Sequence, residues 1–292
     1  MDDDISIFYE WLVSNGCQFD NIDWPSYNTI SGSRGAVAKC DILPNQIMLS
    51  IPYHLMLSPP NAFKDPIIGL SLHDSKDLLT GDLLLAVYLT YEYEKGKDSF
   101  YYPYLKILPK PSTISEWSDD ELKELHDDNL VLRAKRAKNR VKIMYECNIL
   151  PYRNQYSDIL PKDSLTFDTF KFSWYSIQAR AFGRRLPWTA MVPFADCLNH
   201  ANVQTKYDYN INDNGYFRLF PTGTNTYTKG SEVFNSYGRR PNDNLLLDYG
   251  FSMLDNEWDQ VLVDFPFTST TNAENYEKKL TFLYNSGTSN HY

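Results

Sequence analysis

An α+β fold is predicted from three features of the 292-residue chain. Short apolar runs cut by Gly and Pro occupy residues 27–58, helical patterns follow through 80–182, and strand-and-turn texture returns from about 187 to 237. That order, β-rich, then helical, then β-rich, fits one β fold with a helical insertion between its halves and not alternating βαβ units. Neither a G-x-G-x-x-G nor a phosphate-loop sequence occurs. At 42% hydrophobic residues the chain can bury a sizeable core.

The first element is predicted in "ISIFYEWLVSNG", residues 5–16, where Ile5, Phe8, Trp11 and Leu12 recur at helical spacing and Asn15-Gly16 supplies a stop. "YNTI", "SGSRGAVAKCDI" and "PNQIMLSIPYHLMLS" read as strands and turns. "TGDLLLAVYLTYEYEK", residues 80–95, is helical, with Thr80 or Asp82 as N-cap and Gly96 as the breaker. A second helical stretch covers 118–150. Its "LRAKRAKNRVK" section concentrates positive charge, either as a solvated face with i,i+4 pairs or as a docking surface for an acidic partner. "TFDTFKFSWYSIQARAF", residues 166–182, begins like a capped helix, and "PNDNLLLDY" like another from near Asn242. "NINDNG" and "PTGTNTYTKG" are turn sequences, while "TSTTNAE" and "NSGTSN" have the composition of a loop and a fraying tail.

Several function classes are disfavoured by composition. The opening "MDDDISIFYEWL" has an acidic flank, and no apolar run approaches the roughly 18 residues of a membrane span, so neither a secretory signal nor a membrane partner is expected. Cys17, Cys40, Cys147 and Cys197 form no C-x-x-C pair, so no zinc site or disulfide framework is predicted and a reducing compartment is expected. A net charge of −9 argues against direct nucleic-acid binding and suits a partner that offers lysine or arginine. The expected location is the cytoplasm, with the nucleus as a second compartment.

Two stretches concentrate chemistry. "MVPFADCLNHANVQTKYDYN", residues 191–210, passes from an apolar run into a polar one, with Asn199 and His200 at the crossing. By residue type the pair either caps a turn or converges on a ligand. Five histidines without ligand-like spacing predict no metal site. No G-x-S-x-G nucleophile motif occurs, and Cys197, inside the apolar run, is expected to pack. "KGSEVFNSYGRRPNDNLLLDYGF", residues 229–251, holds two Tyr-Gly pairs, Tyr237-Gly238 and Tyr249-Gly250, either as turns with buried tyrosines or as part of a site.

Taken in order, these pieces resemble the SET-domain methyltransferases of the Rubisco large-subunit lysine methyltransferase type. "SRGAVAKCDILPNQIMLSIP" is similar to the first glycine-containing motif and its following strand, and "FYYPYLKILPKPSTISEWSDDELKEL" to the helical insertion. "SWYSIQARAF" resembles the close of that insertion, "MVPFADCLNH" the Asn-His motif, and "GSEVFNSYGRRPNDNLLLDYGF" the final motif with its two tyrosines. The resemblance spans roughly residues 5–252. It implies a SET β-fold with a knot-like C-terminal crossing and a helical insertion. The implied division is 1–79 for the N-terminal helix and first SET part, 80–186 for the insertion, 187–252 for the second SET part, and 253–292 for the start of a C-terminal region or tail.

The resemblance further implies S-adenosyl-L-methionine as cofactor. Ser33, Arg34, Gly35 and Ala36 would supply backbone groups to it, with Gly35 and Ala36 small enough for close approach. Arg180 would pair with its methionyl carboxylate, Asn199 and His200 would hydrogen-bond it, and the adenine would rest near Tyr249 and Phe251. Methyl transfer from a sulfonium to an amine is an in-line displacement, so positioning and exclusion of water carry most of the catalysis. The target lysine, with an ordinary pKa of about 10.4, must lose its proton, and desolvation among tyrosines beside a positive charge favours that loss. Tyr237 is expected closest to the transferring methyl, Tyr249 completes the wall, and Tyr207, ahead of Tyr209, would hydrogen-bond the amine from the other side.

The expected function is therefore protein-lysine N-methylation of a non-histone protein, with ribosomal proteins and translation factors among the family's substrates. The alternatives are the histidine-methylating branch of the superfamily, whose closing motif lacks the second tyrosine, and a non-catalytic SET-like binding module. Two departures stand out. Ala179 occupies a position where the Rubisco enzyme type has serine, and the stretch after Phe251 is short for the helical substrate-binding domain of these enzymes. The latter leads to the expectation of a truncated chain or of a short form that recruits substrate differently.

Overall fold

In the computed structural model, which describes residues 3–27, 29, 33–183, 185–212 and 214–260, the first element is helix α1, Asp3–Ser14. Its apolar stripe buries Ile5, Phe8 and Leu12, each stabilising by roughly 1.5–3 kcal/mol. Gly16, at φ 82°, ends it in the left-handed conformation anticipated from Asn15-Gly16. Phe8 meets Trp24 edge-on with centroids 5.8 Å apart and packs on Tyr104 at 6.1 Å, so α1 closes over the sheet and the helical segment together.

Seven strands are described: β1 (Ile22–Ser26), β2 (Gly35–Ala38), β3 (Leu49–Pro52), β4 (Asn199–His200), β5 (Thr205–Asn210), β6 (Tyr216–Pro221) and β7 (Glu232–Asn235). They form a four-stranded sheet in the order β1-β2-β7-β4 and a three-stranded sheet in the order β3-β6-β5. β1 lies outside the runs read as strands, because Pro25 removes a ladder donor and weakens a strand pattern. The fold accommodates it at the sheet edge, where β1 pairs with β2 alone. β5 and β6 are antiparallel, with Tyr207 opposite Leu219 and Tyr209 opposite Phe217. Their "NINDNG" turn is described except for Asp213. β4 alone among the described pairs runs parallel to its neighbour, with Asn199 opposite Phe234 and His200 opposite Asn235 on β7. This is the crossing of the two motif-bearing segments.

Between β3 and β4 the chain is helical: α2 (Pro59–Ala62), α3 (Gly69–Asp74), α4 (Asp82–Glu94), α5 (Tyr102–Ile107), α6 (Asp119–Lys123), α7 (Asp128–Met144), α8 (Leu150–Gln155) and α9 (Phe167–Arg180). Helix α10 (Asn242–Tyr249) follows β7. The N-cap of α4 is Gly81 at φ 58°, not Thr80 or Asp82, because only glycine takes that backbone conformation without cost. The stretch 118–150 is not one helix. Ser118 and Glu121 form a capping box on α6, His126 turns the chain at φ 50°, and Asp127 restarts it by accepting the N–H groups of Asn129 and Leu130. After Met144 a π-helical turn, Tyr145–Ile149, leads into α8. α9 begins as expected, with the Thr166 side chain accepting the Thr169 N–H.

Residues Met1–Asp259 pack as one unit. A main core joins the inner faces of the sheets to α1, α4, α5 and α9, and a satellite core of Ile114, Leu122, Leu130 and Ala134 receives Leu246 and Leu247 of α10. The "TSTTNAE" and "NSGTSN" tracts lie outside the described residues, as do Ser31 and Gly32 just before the first motif. No helix among the described residues is long and apolar enough to cross a membrane.

Candidate active site

The apolar run before Asn199 contains one residue in an uncommon conformation. Phe194 sits at φ 70°, ψ −40°, which costs a residue with a Cβ about 1–3 kcal/mol. Its ring is held by Phe19, with centroids 4.4 Å apart, and by Trp24 at 6.2 Å. The bend feeds a single 3-10 turn, Ala195–Cys197, that carries Asp196 into the interior. Tyr104 Oη donates to Asp196 Oδ2 at 2.8 Å, and Arg180 Nη1, at the end of α9, donates to the Asp196 carbonyl at 3.0 Å and lies 3.4 Å from Oδ2. Burial pushes the Asp196 carboxyl upward, and the Arg180 charge and the Tyr104 hydroxyl oppose that shift. The pair keeps a guanidinium fixed inside the protein. Cys197 packs, as its apolar surroundings suggest, and burial raises its thiol pKa.

Asn199 Nδ2 donates to Glu232 Oε1 at 2.8 Å and lies 3.4 Å from Ser33 Oγ. The Asn-His motif is thereby tied to both the first motif and the last. Gly35 makes this possible: a Cβ there would stand 2.6 Å from Asn199 Nδ2 and 2.7 Å from Glu232 Oε1. Ala36 is buried in β2 opposite Val233, and the Arg34 guanidinium lies 4.9 Å from the Trp24 ring centroid and donates to the Ile107 carbonyl at 2.9 Å. The Arg34 side chain thus anchors the strand to α5, leaving the local main chain as its contribution to a ligand.

On the other face of the crossing, the Tyr237 main-chain N–H donates to His200 Nδ1 at 3.0 Å. Nδ1 also lies 3.3 Å from the Asn235 carbonyl; the shorter contact with the Tyr237 N–H makes Nδ1 the acceptor and assigns the proton to Nε2. Burial holds the His200 pKa below its ordinary value, in keeping with a neutral ring. Nε2 is buried and has no hydrogen-bond partner among the described residues. Tyr237 Oη donates to the Leu198 carbonyl at 2.8 Å, and burial raises its pKa, with Arg180 close enough to oppose the shift. The phenol is neutral. His200 and Tyr237 stack at 5.0 Å between centroids, Tyr237 meets Tyr249 at 5.0 Å, and Tyr249 meets Phe251 at 6.2 Å.

The helical segment props these aromatics from behind. Gly250, at φ 80°, ends α10, and any Cβ there would overlap the Ser112 carbonyl oxygen. Thr113 Oγ1 donates to the Leu247 carbonyl at 2.8 Å, and Arg133 of α7 reaches Asp243 and Asn244 at the start of α10. Tyr249 and Phe251 are therefore placed by residues far from them in sequence.

Most of the sequence-predicted residues meet. His200, Tyr237, Tyr249 and Phe251 form one contact group, Asn199 beside His200 in β4 gathers Ser33 and Gly35, and Arg180 stands near the group through Asp196 and Tyr237. Tyr207 packs against Phe217 at 5.0 Å and Phe182 at 5.9 Å, and its hydroxyl accepts the Arg185 N–H at 2.8 Å. Those contacts tie it to the chain leaving α9, just beyond Arg180. Three residues that hold predicted site residues in place carry no motif of their own: Tyr104, Asp196 and Glu232. A lone aspartate within "MVPFADCL" is the signal that could have found Asp196, since a buried carboxylate needs partners.

The donor set fits the methyl donor that the motifs imply. A buried nitrogen on His200 without a partner among the described residues, a fixed cation on Arg180 and flat aromatic faces at Tyr249 and Phe251 suit a carboxylate, an amino group and a purine.

No family model matches the chain. It is similar to the ribosomal lysine N-methyltransferase set10 of Schizosaccharomyces pombe, 26% identical over 85% of this chain and 46% of that protein. The fructose-bisphosphate aldolase-lysine N-methyltransferase of Arabidopsis thaliana is 30% identical over 84% of this chain and 51% of its own length. The actin-histidine N-methyltransferase of Xenopus tropicalis is 25% identical over 87% and 44%. The chain thus spans about half the length of the curated relatives it matches. Among solved structures, the SET domain of LSMT bound to lysine and AdoHcy superposes with a TM-score of 0.74 at 23% identity, covering 98% of this chain and 65% of that one. That likeness establishes the fold.

Proposed function

We propose that this chain, whose fold is that of the SET-domain methyltransferases, is an S-adenosylmethionine-dependent protein-lysine N-methyltransferase acting on a non-histone protein. The observation that carries the reading is the convergence of Arg180, Asn199, His200, Tyr237, Tyr249 and Phe251 at the β4/β7 crossing. The relatives named for lysine methylation of ribosomal protein and aldolase support both the reaction and a non-histone substrate.

When bound, S-adenosylmethionine supplies a methyl group on a sulfonium, open to in-line displacement by an amine. Arg180 would hold its carboxylate by charge, His200 Nε2–H and Asn199 would donate to or accept from its polar groups, and Tyr249 with Phe251 would receive its base. Main-chain groups at Ser33, Arg34, Gly35 and Ala36 would line the other side. Tyr237 directs its hydroxyl proton to the Leu198 carbonyl and so presents oxygen lone pairs, not a proton, to an incoming amine. A lysine ammonium entering beside Tyr237 and Tyr249 sheds water near the Arg180 charge, and both effects favour the neutral amine. Tyr207 is proposed as the wall on the far side, positioned by Phe182 and Phe217.

Histidine methylation is the second reading, raised by the actin-histidine relative; Tyr249 favours lysine. Transfer of label from S-adenosylmethionine into a cell extract, with residue analysis of the product, separates them. Lysine-borne label that vanishes in Tyr237→Phe supports the proposal. Label on histidine sinks it in favour of the second reading, and cofactor binding without any transfer sinks it in favour of a binding module.

A further inference from the structure

We propose that the groove bounded by α7, α9 and α10 docks an acidic segment of the protein substrate, with Arg136 and Arg140 taking its carboxylates. The proposal deepens the methyltransferase reading and rests on it. The groove encloses about 330 Å³ and is lined by Arg133, Arg136 and Arg140 together with Trp174, Tyr175 and Asp248.

The charge is local. The chain carries −9 overall, yet α7 bears Arg133, Lys135, Arg136, Lys138, Arg140 and Lys142 against Asp128 alone. Spacings of three and four residues put Arg133, Arg136 and Arg140 on one helix face. Several of the helix's cations are occupied: Arg133 with Asp243, Lys135 with Asp119 at 2.8 Å, and Lys142 with Glu146 at 3.9 Å. Arg136 and Arg140 are exposed and have no carboxylate partner among the described residues. Guanidinium groups take carboxylates in paired hydrogen bonds, and the groove offers two of them without an internal partner.

The groove floor is aromatic. Tyr175 is only 7% exposed and keeps its hydroxyl beside Ser115 and Glu116. Trp174, half-buried beside it, adds an aromatic face for the apolar part of a peptide. The walls also lead to the site. α9 ends in Arg180, and Asp248 immediately precedes Tyr249 at the end of α10. A peptide held here touches both helices that carry the proposed chemistry.

A fluorescein-labelled hexapeptide of glutamate and aspartate around one tyrosine, and its glutamine and asparagine counterpart, would be titrated by polarisation into the full chain and into Arg136→Gln/Arg140→Gln. The acidic peptide is expected to bind wild type, to weaken with added salt, and to weaken about tenfold in the double variant. Equal binding to both proteins, or equal binding of the neutral peptide, overturns the proposal. An RNA oligonucleotide that displaces the acidic peptide and is itself lost in the double variant overturns it in favour of a nucleic-acid site. Titration of S-adenosylmethionine into the same proteins keeps the two ideas separate. Unchanged cofactor affinity in the variant shows an intact fold, and absent cofactor binding in wild type counts against the methyltransferase reading while the peptide comparison still decides the groove.

Discussion

The main-chain N–H of Tyr237 donates to Nδ1 of His200 at 3.0 Å while the two rings lie stacked with centroids 5.0 Å apart. One side chain thereby fixes both the backbone and the ring of another, from a strand that reaches it only through the parallel β4/β7 pairing. His200→Ala leaves a part-buried N–H without an acceptor, which costs about 1–3 kcal/mol. Urea unfolding should show that loss, and S-adenosylmethionine binding should fall with it.

The burial of His200 makes stability depend on pH. His200 accepts through Nδ1 and burial lowers its pKa, so in acid the unfolded chain takes up the proton first, from about pH 6.5 downward. Its contribution is complete above the unfolded value and is lost as pH falls through the folded one. Wild type should therefore lose more stability than His200→Gln when both are unfolded at about pH 7.5 and again at about pH 5. Equal losses would mean that His200 does not carry the effect. His54, whose pKa is also lowered by burial, is common to both proteins and cancels.

Gly250→Ala introduces a Cβ into the Ser112 carbonyl oxygen at a residue with φ 80°. The left-handed conformation alone costs about 1–2 kcal/mol, and the overlap adds to it. Thermal unfolding should report a loss well above that of Gly230→Ala, where φ is 85° but nothing lies within 4 Å.

How far the sequence reading reached follows from the range of the interactions. Asn199, His200, Tyr237 and Tyr249 stood out because short motifs hold them. Tyr104 and Asp196 did not, although their hydrogen bond fixes Arg180, because 92 residues separate them and no local pattern records the pairing. The α+β class is legible from texture, whereas Pro25 hides β1 and nothing in the periodicity of 118–150 marks the break at His126 and Asp127. Both misses are cases in which one residue overrides an otherwise consistent periodicity.

Tyr104→Phe keeps the ring against Phe8 and removes the donor to Asp196. A buried carboxylate that loses one of its partners should cost about 1–3 kcal/mol in urea unfolding. If Arg180 is the anchor for the cofactor carboxylate, affinity for S-adenosylmethionine should also fall in calorimetric titration.

Tyr207→Phe preserves packing on Phe182 and Phe217 but deprives the Arg185 N–H of its acceptor. Cofactor affinity should stay near wild type while methyl transfer drops about tenfold or more, the scale of one hydrogen bond at a reacting group. Unchanged transfer would remove Tyr207 from the proposed wall.

The position of β7 in its sheet sets an order of assembly. β7 lies between β2 and β4, strands that precede it in the chain, and pairs antiparallel with one and parallel with the other. Until residues 232–235 dock, β2 keeps only β1 as a partner and Asn199-His200 has no strand beside it. Contacts of such long sequence separation form slowly and late. During refolding, then, core fluorescence should recover ahead of the capacity to bind a ligand at the crossing, and a ligand specific for the finished site would report the last step of folding and not the collapse that precedes it.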